Sequence, residues 1–142
     1  MRELVRRRMM AAVPEADLVV MNPTHYAVAL KYDEATMGAP RVVAKGADLI
    51  AMKIRDLAKA ADVPVLQAAP LARALYAHAE LDREIPAALF GAVAQVLAYV
   101  WQLRAAMRPG GKAPAPLPEL NVPDELDPHH AKAQPPSAEA FD

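Results

Sequence analysis

The sequence has no cysteine, little aromatic mass, almost no net charge and no long apolar run unbroken by polar residues. Each absence removes a class of function. Without cysteine there are no disulfide staples, zinc–thiolate sites or thiol nucleophiles, and an intracellular setting is permitted. Lys+Arg number 16 against 17 Asp+Glu, a formal net charge of -1. Such a balance argues against nucleic-acid binding, because neutralising phosphates needs a cationic excess. Aromatics are 5% of the chain while apolar residues reach 54%, much of it alanine. That composition favours closely apposed helices over a deep aromatic pocket. The first ten residues, Met1 to Met10, include four arginines and lack the apolar stretch of a secretion signal. No run of about eighteen residues is uncharged and apolar on every side, as a membrane span requires. At 142 residues, the chain has room for one ordinary domain and is expected to be soluble.

Proline divides what is there. Eight of the 14 prolines fall in the last 35 residues, together with Glu119, Asp124, Glu125, Asp127, Glu139 and Asp142. Large apolar side chains are sparse in that segment, so it has little with which to offset the entropy of ordering. The expected organisation is a basic linker helix over residues 1–15, a compact domain over 16–107, and a disordered, proline-rich, acidic tail over 108–142. Pro114 to Pro118 favours polyproline II.

Within the compact part, residues 2–12 read as a basic helix stopped by Pro14. Ala16 to Met21 is a short continuous apolar run, as for a strand covered on both faces. Tyr26, Val28, Leu30 and Tyr32 alternate with Ala27, Ala29 and Lys31, the period of a half-buried strand. Arg41 to Ala44 predicts a third strand and Val63 to Leu66 a fourth, the latter with a proline suited to its first turn or an edge. Ala47, Ile50, Ile54, Leu57 and Ala61 recur at helical spacing. Another helix follows Pro70, with Leu71, Ala74 and Leu75 inward and His78 a candidate to join them. Pro86 opens the longest helix, striped with Leu89, Val93, Val96, Leu97, Val100 and Leu103. The strand–helix–strand unit from Arg41 to Leu66 should cross right-handedly with its strands parallel. The fold class is therefore α/β: a small mixed four-stranded sheet surrounded by helices, with the proline-rich tail appended.

Chemistry is concentrated between the first two strands, at Asn22-Pro23-Thr24-His25. By composition this is a turn. Its covalent behaviour is less ordinary. Asparagine commonly ages through attack of the next backbone nitrogen on its side-chain amide, but proline carries no N–H, so that route is closed. The Asn22 side-chain nitrogen can still attack its own backbone carbonyl, closing a succinimide and expelling the Pro23 nitrogen. An intramolecular attack in a strained turn gains from orientation, with effective molarities that can reach ~10⁵ M. Thr24 can offer a hydroxyl or backbone N–H to the developing oxyanion. His25 can relay a proton in either direction, as a histidine side chain can act as acid or base. A metal site using His25 with His129 and His130 lacks any usual ligand spacing, so neither metal nor cofactor is expected.

Asn22-Pro-Thr-His25, the following Tyr26-Ala-Val-Ala-Leu-Lys-Tyr32, Ala39-Pro40, Val42-Val-Ala-Lys-Gly46 and Pro70-Leu-Ala-Arg-Ala-Leu-Tyr76 together resemble the cytoplasmic domain of the FlhB/YscU family. Members are export-switch proteins of bacterial type III secretion. The likeness runs over roughly residues 6 to 107, and the Tyr26–Tyr32 block and the tail are closer to the flagellar branch. The resemblance implies self-cleavage between Asn22 and Pro23, with the two pieces held together by the sheet. It implies that cleavage switches export from rod and hook subunits to filament subunits, as a single turnover and not as an enzyme. It also implies an apolar docking site for exported subunits, for which Ala39, Pro40, Ala94 and Leu97 are candidates; ordinary core packing is the alternative for those four. The partners implied are other export-gate proteins, exported flagellar subunits and a hook-length control protein. The location implied is the cytoplasmic face of the bacterial inner membrane, through four membrane-spanning helices that precede this domain in the family and that the chain lacks. The rival expectation is an uncleaved binding module that recruits export substrates or chaperones.

Overall fold

The computed structural model describes residues 2–23, 25–113 and 116–128. Four strands, β1 (Leu18–Asn22), β2 (Tyr26–Lys31), β3 (Arg41–Ala47) and β4 (Val65–Gln67), form one sheet in the order β3-β2-β1-β4. The pairs β3–β2 and β2–β1 are antiparallel and β1–β4 is parallel. The outer strands β3 and β4 thus run in the same direction at opposite edges, and the edge position accommodates Pro64 beside β4. Helices α1 (Glu3–Ala12) and α2 (Leu49–Ala60) cover one face; α3 (Ala69–His78) and α4 (Phe90–Ala106) cover the other.

Side-chain size assigns the faces. On the α3–α4 side, Leu18, Val20, Val28, Leu30 and Val42 meet Leu71, Leu75, Val93, Val96 and Val100. On the α1–α2 side, Val19, Met21, Ala27, Ala29 and Ala44 meet Met9, Val13, Ala51, Ile54 and Ala58. Strand β2 is therefore covered on both faces, not half-buried as its alternation suggested. Ala27 and Ala29 are fully enclosed, because a methyl side chain lets α2 approach the sheet. His78 is also displaced from expectation: it ends α3 exposed, while Leu71, Ala72, Ala74 and Leu75 face inward. The 87–106 segment has the length and apolarity of a membrane span, yet here it lays Ala92, Val93, Val96, Leu97 and Val100 into the core.

A bulge in β3 matters to everything near the site. The β2–β3 register passes from Ala29↔Ala44 to Leu30↔Val42, so Val43 is the extra residue. Val42 then faces the α3–α4 layer and Ala44 the α1–α2 layer. In an unbulged strand, residues two apart would share a face.

The expected single disordered tail needs narrowing. Residues 129–142 lie outside the described residues, as do Pro114 and Ala115. Residues 116–128, however, lie against the domain: Leu117, Leu120, Val122 and Leu126 pack on the α3–α4 core, and Asp127 is buried. The segment is extended, as its prolines dictate, but its few apolar side chains find partners.

Candidate functional site

Strand β1, central in the sheet, ends at Asn22, and Tyr26 opens β2 as its register partner. Pro23 and His25 between them are exposed, Asn22 is half-buried, and Thr24 lies outside the described residues. The turn closes through the His25 backbone N–H, which donates to the Asn22 carbonyl oxygen at 3.0 Å. Proline at the second position of such a turn is pre-set to the required φ. The His25 carbonyl in turn accepts from the Asp48 N–H at 2.9 Å, so the β2–β3 ladder runs one rung past Tyr26. Asp48 sits at φ 52°, ψ -115°, in the left-handed half of backbone space that costs a non-glycine residue about 1–3 kcal/mol. The preceding Gly46 explains the sharpness of that corner: a Cβ there would lie 2.2 Å from Ile50 Cγ2. Only glycine allows α2 to start so close to β3.

Beneath the turn, Tyr26 stacks on Tyr76 of α3, centroids 4.5 Å apart and 28° between planes. Lys45 secures Tyr76 in turn. Its Nζ donates to the Tyr76 carbonyl at 3.1 Å and the Ala79 carbonyl at 2.8 Å, and lies 5.3 Å from the Tyr76 ring centroid. A cation is thereby placed on the orphan carbonyls at the C-terminal end of α3. Burial holds the Lys45 ammonium below its ordinary pKa, and the Glu80 carboxylate opposes that shift. One turn earlier on α3, Arg73 makes a two-pronged pair with Asp127, Nε to Oδ1 at 2.7 Å and Nη2 to Oδ2 at 2.9 Å. Hydrogen bonding to Asp127 raises the guanidinium pKa further, against the effect of burial. Asn22, His25, Tyr26, Arg73, Tyr76, Ala77 and Pro128 line an open pocket of about 230 Å³.

The structure thus brings Asn22, Pro23 and His25 together in one hydrogen-bonded turn. The donor on the Asn22 oxygen is the His25 backbone, a group that side-chain reasoning passed over in favour of Thr24. Lys45, Asp48, Arg73 and Tyr76 were also missed as site residues. A lysine and an arginine inside otherwise apolar helical and strand segments were the available signal. On the far side of the α3–α4 layer, Ala39, Pro40, Ala94 and Leu97 share a second groove with Tyr32, Gly38, Phe90 and Trp101. Ala39 and Leu97 are buried, Pro40 is half-buried, and Ala94 is exposed. The first two therefore pack in the core while all four contribute to the groove.

Residues 1–100 match the profile of the FlhB HrpN YscU SpaS Family. The chain belongs to that family. It is 56% identical over 126 residues to the flagellar biosynthetic protein FlhB of Escherichia coli, and 52% identical over 103 residues to that of Bacillus subtilis. These alignments take in 89% and 72% of this chain but 33% and 29% of the relatives. The chain spans about a third of the length of the curated FlhB proteins it matches. Among solved structures, the crystal structure of the cytoplasmic domain of FlhB from Shewanella putrefaciens superposes with a TM-score of 0.83 at 52% identity, covering 88% of this chain and 97% of that one. A mutated EscU C-terminal domain gives 0.63 at 32% identity, covering 65% and 92%. The mixed sheet, its helices and the Asn22–His25 turn are thus found in a member of the FlhB family.

Proposed function

We propose that this domain is a self-processing switch of a flagellar type III export apparatus, cutting itself between Asn22 and Pro23. The observation that carries this reading is the hydrogen bond from the His25 N–H to the Asn22 carbonyl, 3.0 Å long. It places a fixed donor on the oxygen where charge develops when that carbonyl is attacked. In the reaction, Asn22 Nδ2 bonds to the Asn22 carbonyl carbon and the bond from that carbon to the Pro23 nitrogen breaks. The departing electron pair stays on the Pro23 nitrogen, which gains a proton while Nδ2 gives one up. The products are a succinimide at residue 22 and a new amino terminus at Pro23; water then opens the ring. His25, exposed beside the turn, exchanges the proton between the two nitrogens. Thr24 remains a second candidate donor to the oxyanion. Each molecule reacts once, so this is self-processing and not turnover.

In the whole protein, the cut changes which exported subunits are accepted, from rod and hook type to filament type. The groove at Ala39, Pro40, Ala94 and Leu97, with Phe90 and Trp101 exposed at its rim, supports docking of apolar segments of those subunits. The partners are other export-gate proteins, the exported subunits and a hook-length control protein, at the cytoplasmic face of the bacterial inner membrane. That groove also favours the second reading, in which the domain recruits substrates without being cut.

The deciding experiment is the mass of the purified chain under denaturing conditions. Two pieces meeting after Asn22 are expected; a single full-length mass, persisting over days at neutral pH, overturns self-cleavage. Asn22→Ala should stay whole. Pro23→Ala should cut more slowly, because the restored N–H lets deamidation compete. A cleavage rate that is flat from about pH 5 to about pH 9 removes His25 as the proton carrier.

A further inference from the structure

The segment 116–128 is bound to the domain in an unusual way. Its backbone hydrogen bonds, Val122 to Leu120, Leu126 to Pro123 and Asp127 to Asp124, are internal. Among the described residues, no backbone–backbone hydrogen bond joins it to the rest of the molecule. What holds it is a side-chain grip. Gln95 of α4 donates through Nε2 to the Glu119 carbonyl at 3.3 Å and accepts the Asn121 N–H on Oε1 at 2.9 Å. Arg73 of α3 takes the Asp127 carboxylate with both prongs. Leu117, Leu120, Val122 and Leu126 supply the apolar contact. A side-chain amide reading the C=O and N–H that flank one residue, an arginine reading a carboxylate and apolar contacts to spaced leucines are the devices by which domains bind extended peptides. Prolines at 116, 118, 123 and 128 pre-extend the segment and reduce the entropy lost on seating.

An open groove of about 370 Å³ runs between the segment and Gln67, Ala68 and Pro70 at the start of α3, so this side of the segment faces solvent.

We propose that the α3–α4 face is a peptide-binding groove whose resident ligand is this chain's own residues 116–128, a strap that leaves and reseats while the domain stays folded. When seated, it delivers Pro128 to the wall of the Asn22–His25 pocket and occupies Arg73; when released, it uncovers both. The strap is bound by side chains on α3 and α4, so its release does not require the sheet to open. The inference does not depend on whether the Asn22–Pro23 bond is cut.

The test uses the full chain and a fluorescein-labelled synthetic peptide of residues 116–128. Leu120→Ser with Asp127→Ala should unseat the strap and open the groove. This double variant should bind the peptide at least about tenfold more tightly than the native chain does, and adding Arg73→Met should abolish that binding. Equal binding by native chain and double variant, or none by either, overturns the proposal. Hydrogen exchange supplies a readout that stands even if the double variant folds poorly. In the native chain the Asn121 amide should exchange at least about tenfold slower than an unprotected amide, and Asp127→Ala alone should release it while the Ala79 amide, bonded to Leu75, is unchanged. Exchange of Asn121 at the unprotected rate, or release of Asn121 and Ala79 together, would show that there is no separable strap.

Discussion

The Asn22–His25 turn and the 116–128 strap flank one pocket but are held by opposite means. The turn is the end of a ladder: β1, β2 and β3 exchange backbone hydrogen bonds up to the His25–Asp48 rung. The strap is held by the side chains of Arg73 and Gln95 and by scattered leucines. Ladder bonds are cooperative with the sheet, so the turn stays put until the sheet opens. Side-chain grips fail one region at a time. A fixed turn and a movable wall can therefore coexist within one small domain.

Four perturbations test that contrast, in descending order of effect. Leu75→Ala strikes α3, which carries both Tyr76 under the turn and Arg73 under the strap. Leu75 is fully buried, so the loss should be about 2–5 kcal/mol, read as a lowered urea midpoint with both regions loosened. Gly46→Ala acts on the turn side alone, forcing Ile50 away from a Cβ only 2.2 Å from its Cγ2. Overpacking of this kind costs about 1–3 kcal/mol, and it should slow self-cleavage by moving Asp48 off the His25 carbonyl. Asp127→Ala acts on the strap alone. Breaking a buried pair between fixed elements costs about 3–5 kcal/mol; here the strap can lift and let water reach Arg73. The global urea midpoint should hence move far less than that figure, and a full-sized shift would erase the contrast.

The smallest effect lies far from both. Glu3 is held below its ordinary pKa of 4.5 by hydrogen bonding to Arg6, by the charge of Arg6, and by the bond to Arg7. A carboxyl depressed on folding contributes stability above its unfolded value and loses it as pH falls through the folded one. Acidification below 4.5 should fray the start of α1, seen as faster exchange of the Arg6 amide that bonds the Arg2 carbonyl. Neither turn nor strap should respond through this group.

The same contrast explains what was legible in the sequence. Ladder regions announce themselves through period: the apolar run before Asn22, the alternation after Tyr26 and the helical spacing from Ala47 all marked elements that exist, within a few residues. The Asn22–His25 turn was legible because asparagine followed by proline marks a turn through two adjacent residues. The bulge at Val43 was not, since one extra residue leaves no compositional trace. Coverage of β2 on both faces was hidden because alanine gives the same pattern facing solvent or a close helix. The strap was hidden for a different reason. Leu117, Leu120, Val122 and Leu126 follow no period, and Arg73 and Asp127 are 54 positions apart in sequence. Local patterns carry no information about such a meeting.

One consequence follows from the extra residue at Val43. It sets the parity of β3, and with it the layer that Lys45 addresses. The Asp33–Pro40 connection can lengthen or shorten without altering that parity, because the count restarts where the strand begins to pair. Between Val42 and Lys45 the arithmetic is rigid. Loss of a single residue there would turn the ammonium toward α2, leaving the end of α3 uncapped and the two stacked tyrosines without their clamp.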